Sequence, residues 1–369
     1  MEKTNREFLE WLFENNKIDV KRAGIFEDPI TKKEKKIDFD KVEGMMLGLA
    51  IGDALGITTE SIPPDIRKTK YGEIRDYIPN KYCDKPIGFP SDDTQLAFWT
   101  LEIINEDNVF IPDNVAKAFC NNGKIFGIGS TVKRFINNYK NNGFPWYEAG
   151  VKSAGNGALM RIAPMIIPHL TGNCVDLWAD TALCTMITHN DSAAISSAEA
   201  FVYILCELIE MKEAPKDPMW WIETYLSVAK NIEIDDTYEP RGGEYHSKYK
   251  GTLSEFIEEK IPYVYEKGLS VFEANRFWFS GAYLLETVPM VLYILMKHAN
   301  DPEKALIRAV NDTKDNDTVA AIVGAAVGAL HGKEKLPKRW IENLSGRTKT
   351  NDDGKVFEDL KITERIWFH

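Results

Sequence analysis

Hydrophobic residues recur along this chain mostly at the spacing of an α-helix, and strand-like alternation is sparse. Residues 4–15 place Phe8, Leu9, Trp11 and Leu12 on one helical face. Residues 16–40 are polar and Lys-rich, with a turn at Pro29. A helix is predicted over 41–56, where Gly44, Gly48, Gly52 and Gly56 fall four apart. Such a stripe carries no side chains, so another backbone can approach closely. Pro63, Pro64, Pro79, Pro86 and Pro90 rule out one regular element between 57 and 90. Ser91, a good N-cap residue, opens a helix carrying Leu96, Ala97, Trp99, Leu101, Ile103 and Ile104.

Residues 112–122 read as a further helix, followed by a glycine-rich turn, Gly127-Ile128-Gly129-Ser130-Thr131. Ser153-Ala154-Gly155-Asn156-Gly157 is irregular and precedes the apolar run 162–167. Helices over 175–188 and 191–212 flank Thr188-His189-Asn190. The stretches 213–219 and 231–251 read as loops, the second as a flexible lid. Long helices return over 253–268, 278–298 and 302–311. The last strong one, Asp317 to Leu330, again spaces Ala320, Gly324, Gly328 and Gly332 by four. The two glycine-striped helices are therefore candidates to pack on each other or against common neighbours. After Pro337 the chain is polar, and Asp353-Gly354 suggests a hairpin. No solenoid-length repeat is present. The expected architecture is all-α: one multi-helix domain over 41–336, an N-terminal extension over 1–40 and a C-terminal tail over 337–369.

With 369 residues, 44% of them hydrophobic, a large core is within reach and global disorder is excluded. The net charge of -11 argues against general binding of nucleic acid or anionic membrane. It leaves room for a single phosphate-bearing ligand held by backbone amides and a metal. Cys83, Cys120, Cys174, Cys184 and Cys206 form no C-x-x-C pair, which predicts reduced thiols in a cytoplasmic protein. The charged N-terminus predicts no signal peptide. Asp53 interrupts the apolar stretch 44–56, which is too short to span a bilayer.

Two places concentrate oxygen-bearing side chains ahead of a helix: Ser91-Asp92-Asp93-Thr94 and Asp315-Asn316-Asp317-Thr318. Hydroxyl, carboxylate and amide oxygens are the ligands of hard cations, and two such clusters can hold a pair of ions ~3.5–4 Å apart. Each cluster alone is better explained by helix capping, where Asp, Ser and Thr are the usual residues. Val319 and Ala320 break an EF-hand loop. An aspartyl-phosphatase reading of Asp315-x-Asp317 needs a buried strand before it, and the charged run 308–314 does not provide one.

Read in order from Val42 to Gly332, these segments resemble the ADP-ribosylglycohydrolase family, which includes the dinitrogenase reductase-activating glycohydrolase. The resemblance lies in Gly48–Gly56 with Glu60, in Ser91–Thr94, in Gly155-Asn156-Gly157-Ala-Leu-Met-Arg161, and in Asp315–Gly328. It departs at Thr313-Lys314, where the family often has two glycines, and at Asn316, where it usually has threonine. It implies two Mg2+ ions held by Ser91, Asp92, Asp93, Asp315, Asp317 and Thr318. It implies cleavage of ADP-ribose from a modified protein or small acceptor through an oxocarbenium-like transition state. Glu60 and Asp317 become candidates for acid/base or water-positioning work. Ser153, Gly155, Asn156, Gly157 and His189 become substrate contacts. Phe126 and Tyr245 are candidates to stack on adenine, though core or lid packing accounts for them better. A catalytically silent ADP-ribose binder and a helical scaffold with one structural cation remain the alternatives. The acceptor and the oligomeric state are left open.

Overall fold

Every residue from Gly44 to Gly56 is buried, and so is every residue from Asn316 to Leu330. These two helices lie antiparallel in the computed structural model, which describes residues 3–27, 37–80, 84–170 and 176–369. The register is set by glycine. A Cβ on Gly48 would lie 2.1 Å from the Gly324 carbonyl oxygen, and one on Gly324 would lie 2.0 Å from that of Gly48. Gly44 meets Gly328 in the same way, and Gly52 meets Ala320. The expected contact between the two stripes is therefore present. At its end, Gly56 lies against the backbone of Asn316 and Asp317.

Around this pair the described residues form helices α1 (Asn5–Glu14), α2 (Phe39–Gly56), α3 (Pro64–Tyr71), α4 (Asp92–Asp107), α5 (Pro112–Asn121), α6 (Ser130–Ile136), α7 (Trp146–Ala149), α8 (Leu177–Met186) and α9 (Ser192–Glu210). They continue with α10 (Trp220–Ile232), α11 (Leu253–Glu266), α12 (Val271–Trp278), α13 (Leu284–His298), α14 (Pro302–Asp312), α15 (Asn316–His331), α16 (Lys338–Glu342) and α17 (Lys355–Trp367). Among the described residues the β-type pairings are three isolated bridges, so the all-α expectation holds. Two helical stretches, Phe39–Thr59 and Ser192–Glu210, are long and apolar enough to cross a membrane, but both are largely buried inside the protein.

Several elements differ from the sequence reading. The proline-rich stretch after residue 57 contains α3, because Pro64 sits at a helix first turn, where its missing N–H costs nothing. The helix expected over 278–298 is broken. Phe279 and Ser280 take positive φ (65° and 45°), ending α12 and starting a bend before α13. The hairpin expected at Asp353-Gly354 is instead the start of α17. Asp352 and Asp353 accept backbone N–H groups of Gly354 and Lys355, and Val356, Leu360 and Thr363 then follow helical spacing onto α4. The N-terminal segment shares the main core: α1 opens with a Thr4/Glu7 capping box and buries Leu9 and Leu12. The Pro29 turn, Cys83 and Cys174 lie outside the described residues.

Arg67 of α3 locks the turn that follows α14. Its guanidinium is fully buried and donates to the carbonyls of Val310 (2.9 Å), Thr313 (2.6 Å), Ile62 (2.8 Å) and Thr59 (3.2 Å). Arg67→Met removes the buried donor these carbonyls share, and only Val310 and Thr59 keep another, from Asn316 and the Ile62 amide. It is expected to cost at least ~3 kcal/mol, measured as a fall in the denaturant midpoint.

Candidate active site

The antiparallel register of α2 and α15 brings Asp53, near the end of one helix, to the first turn of the other. Asp53 is fully buried and gathers the first cluster. Its carboxylate accepts from the Ser91 amide (2.7 Å) and hydroxyl (2.7 Å) and from the Thr94 amide (3.1 Å) and hydroxyl (2.6 Å). Ser91 occupies the N-cap position of α4 without a side-chain capping bond. Asp315 does the same at α15. Capping therefore explains neither cluster, because the Ser91 side chain is turned to Asp53 and that of Asp315 to Asn156.

The second cluster is fixed from three sides. The Asn156 side-chain amide donates to Asp315 Oδ2 (2.6 Å) and to Thr287 Oγ1 (3.0 Å). The Asp315 amide donates to the Ser280 carbonyl (2.9 Å) and the Lys314 amide to the Ser280 hydroxyl (2.8 Å), which is what the strained bend after α12 accomplishes. Asn316, where the family pattern has threonine, donates to Thr59 Oγ1 (3.0 Å) and the Val310 carbonyl (3.1 Å). The Lys314 ammonium lies 3.9 Å from the centre of the Phe279 ring, and its charge acts on Asp315. Glu60 joins through the next turn: the Ser61 amide donates to the Lys314 carbonyl (3.1 Å).

Carboxylate oxygens of Asp53, Asp93 and Asp317 lie within 4.8 Å of one another, and so do those of Glu60, Asp315 and Asp317. Asp317 belongs to both sets. Asp93 Oδ1 and Asp317 Oδ1 are buried and find no hydrogen-bond partner in the protein. Buried anionic oxygens in this state call for a cation. The donor set is entirely oxygen, as hard divalent ions require. Asp53 already accepts four hydrogen bonds on two oxygens, so we read it as the anchor of the Ser91–Thr94 turn rather than a direct ligand. Thr318 hydrogen-bonds Asp93. Asp92 lines the cleft and packs against Gly127, whose φ is +81° and where a Cβ would lie 2.6 Å from Asp92 Oδ1. The Gly127 turn, a plain turn by sequence, is thus part of the site.

These acids floor a cleft of about 530 Å³, within the usual range for small ligands. One wall is Ser153–Gly157, tied to Asn190 and Thr188 through Val151 and to Leu284 through the Ala154 carbonyl. Ser153 Oγ contacts Thr131 Oγ1 at 3.1 Å. His189 stands behind this wall, buried. Burial and the nearby Arg161 push its pKa down to about 3, so the imidazole is neutral. Arg161 donates to Thr188 Oγ1 (2.9 Å), leaving that hydroxyl to donate to His189 Nδ1 (2.8 Å). The His189 proton then sits on Nε2, which lies 3.5 Å from where a Cβ on Gly155 would be and 3.4 Å from one on Gly157. Phe126 and Tyr245, the candidates to stack on adenine, both pack against neighbouring side chains. Phe126 carries Arg347 on its ring at 4.2 Å, and Tyr245 packs edge-on to Phe256 at 5.4 Å.

Sequence reasoning missed Asp53, read there as an interruption in a helix, along with Asp191, Tyr238, Arg241 and Tyr283, which also line the cleft. Tyr238 and Arg241 come from the expected lid and Tyr283 from the bend, where no periodicity points to them, and Asp191 is the N-cap of α9. The lid is tied down. Glu233 accepts from the Leu253 (2.8 Å) and Ser254 (2.9 Å) amides, Tyr238 OH donates to Asp191 (3.1 Å), and the Arg241 amide donates to Glu286 (2.7 Å). Lys152 bridges Asp236 (2.7 Å) and Asp19 (3.0 Å), joining lid, loop and N-terminal segment.

Crowding shows in the protonation of the acids. Burial, then Asp53, pushes Asp92 up to about 8. Burial, then Asp315 and Asp53, pushes Glu60 up to about 7. Burial raises Asp315 to about 6 and raises Asp93 and Asp317 well above the carboxylate range. A carboxyl raised on folding adds stability below its unfolded pKa, about 4, and loses it as pH rises through the folded value. Metal-free protein is therefore expected to lose thermal stability between pH 4 and 8. A divalent cation, which replaces the protons, should raise the melting temperature far more at pH 8 than at pH 5. Thermal melts in chelator and in magnesium check this.

The fold and the site define a helical hydrolase whose carboxylate cluster can hold a metal ion. The chain belongs to the ADP-ribosylglycohydrolase family, which it matches over residues 34–366. It is 32% identical to an uncharacterized protein of Archaeoglobus fulgidus over 84% of this chain and 92% of the relative. It is 24% identical to the ADP-ribosylarginine hydrolase Tri1 of Pseudomonas putida over 83% and 74%. Its fold is similar to that of a solved ADP-ribosylglycohydrolase-related protein complex, with a TM-score of 0.64, 25% identity and coverage of 89% and 97%. The chain is accordingly an enzyme that cleaves glycosidic bonds of ADP-ribose, and the silent-binder and scaffold alternatives fall away.

Proposed function

We propose that the enzyme uses two Mg2+ ions, shared at Asp317, to hydrolyse the bond between ADP-ribose and a modified protein or small acceptor. The observation that carries this is the pair of overlapping acid triads beneath a cleft walled by Gly155-Asn156-Gly157. Asp92, Asp93, Asp315, Asp317 and Thr318 would hold the ions, with Ser91 closing the first set. Bound there, they would grip the ribose hydroxyls and lower the pKa of a nearby water.

The chain's own residues do the rest. Glu60 is open to solvent at the cleft edge, with a pKa near neutrality, and suits a general acid/base or water-positioning role. Asp317 faces the same space. His189 Nε2–H and the amides of the Gly155–Gly157 loop form a neutral donor wall suited to the diphosphate, where glycine lets the ligand approach the backbone. Asn156 acts on the substrate through Asp315, which it holds in place. Tyr283 offers a ring to the cleft, with the Arg241 guanidinium 4.1 Å from its centre. Cys120, Cys184 and Cys206 form no disulfide among the described residues, which suits a reducing, cytoplasmic setting.

The test is incubation with ADP-ribosylated protein and small ADP-ribosyl compounds in magnesium. Wild type should release ADP-ribose from at least one of them and Asp92→Asn should not. Full release by Asp92→Asn would refute the assigned ligand set.

A further inference from the structure

A second chamber, of about 330 Å³, opens on the far side of Glu60. It shares Glu60 and Gly127 with the main cleft, so the two spaces meet at the reacting carboxylates. Its far wall comes from the C-terminal tail. Arg347, 5% exposed, lies with its guanidinium 5.0 Å from the Phe89 ring centre and 4.2 Å from that of Phe126, and donates to the Pro90 carbonyl (3.0 Å). Thr58, Asn80, Ser91 and Ile57 also line it.

This wall is built rather than incidental. Gln95, one helical turn from the first acid cluster, donates to the Thr348 (2.9 Å) and Lys124 (3.1 Å) carbonyls and accepts from the Phe126 amide (2.8 Å). It thereby fixes both aromatic and tail sides of the chamber. Ser345 and Thr348 are held by Asp352 (2.8 Å) and Asp353 (3.0 Å), and Gly88 pairs with Asn343 and Ser345. Arg347 is thus held in one place with its charge in the chamber wall, where low exposure limits screening by salt.

Resting on the hydrolase reading above, we infer that this chamber receives the acceptor, and that Arg347 selects acceptors that are uncharged or anionic over a guanidinium. The glycine-loop cleft takes the ADP-ribose, which leaves its anomeric carbon at the acids. The group bonded to that carbon then points past Glu60 into the second chamber. A space of this size fits a side chain or a phosphate. A cationic acceptor would sit beside a fixed guanidinium in a partly dry pocket, and a carboxylate, hydroxyl or phosphate would not be repelled.

The experiment compares kcat/KM for ADP-ribosyl-arginine peptide, ADP-ribosyl-serine peptide and ADP-ribose-1″-phosphate. Wild type is expected to favour the serine or phosphate substrate over the arginine one by at least about tenfold. Arg347→Gln should shrink that ratio about tenfold, and Arg347→Lys should keep it. Thr58→Asp, which adds an acid on the opposite wall, should also move the ratio toward arginine. Wild-type preference for the arginine substrate overturns the inference. So does an unchanged ratio in a folded Arg347→Gln and in Thr58→Asp. Release from none of the three by wild type overturns the hydrolase reading and this inference together, whereas equal rates on all three overturn the inference alone.

Discussion

Asp317→Asn is expected to lose turnover by at least about 10³-fold while making the metal-free protein more stable. Asp317 is the one acid common to both triads, so its removal weakens both ion positions at once. Asparagine keeps the shape and the position on α15. Its amide can donate to the neighbouring acids, where the carboxylate only repels them. Burial and the charges of Asp315, Glu60 and Asp93 hold the Asp317 carboxyl well above its ordinary pKa, so its charged form is a burden to the fold at neutral pH. Scanning calorimetry in chelator at pH 8 should show a higher melting temperature for Asp317→Asn than for wild type. A simple structural residue would show the opposite sign.

The second large effect lies in the glycine stripe. Gly48→Val should prevent folding, and Gly48→Ala should cost at least about 3 kcal/mol. A Cβ at Gly48 would sit 2.1 Å from a backbone oxygen of Gly324, with no flexible side chain available to yield. The two helices would have to part by ångströms along their length. Gly324→Ala should behave alike, since its Cβ would fall 2.0 Å from the Gly48 oxygen. The consequence reaches the chemistry: the same register sets Asp53 and Glu60 beside Asp317. A milder insult at the stripe's end, Gly44→Ala, should lower stability with less effect on the site. Denaturant unfolding and ADP-ribose release measured on the same variants separate the two effects.

The glycine stripes were legible in the sequence because a four-residue spacing of the smallest side chain has one main physical use, close helix contact. Both acid clusters were legible as pairs of oxygen-rich helix starts. What the sequence could not give was the reason they are not caps. That depends on Asp53, an acid inside an apolar helix, reaching 38 residues ahead to take the donors of Ser91. Long-range hydrogen bonds of this kind leave no periodicity. The bend at Phe279 and Ser280 was hidden for a related cause: the apolar spacing runs on through it, and the strained backbone is held by contacts to Lys314 and Asp315. The tail misled in the opposite way. Asp353-Gly354 satisfies a hairpin turn and a helix start equally, and α4 decides between them by offering a surface to Val356, Leu360 and Thr363.

Hydrolysis should depend on the ions these acids are built to hold. Enzyme stripped of divalent metal is mixed with a labelled ADP-ribosylated substrate, and release of ADP-ribose is followed as Mg2+ is added. No release in chelator and recovery to full rate on adding Mg2+, with Asp317→Asn failing to recover at any concentration, is the predicted result. Full turnover in excess chelator would contradict it.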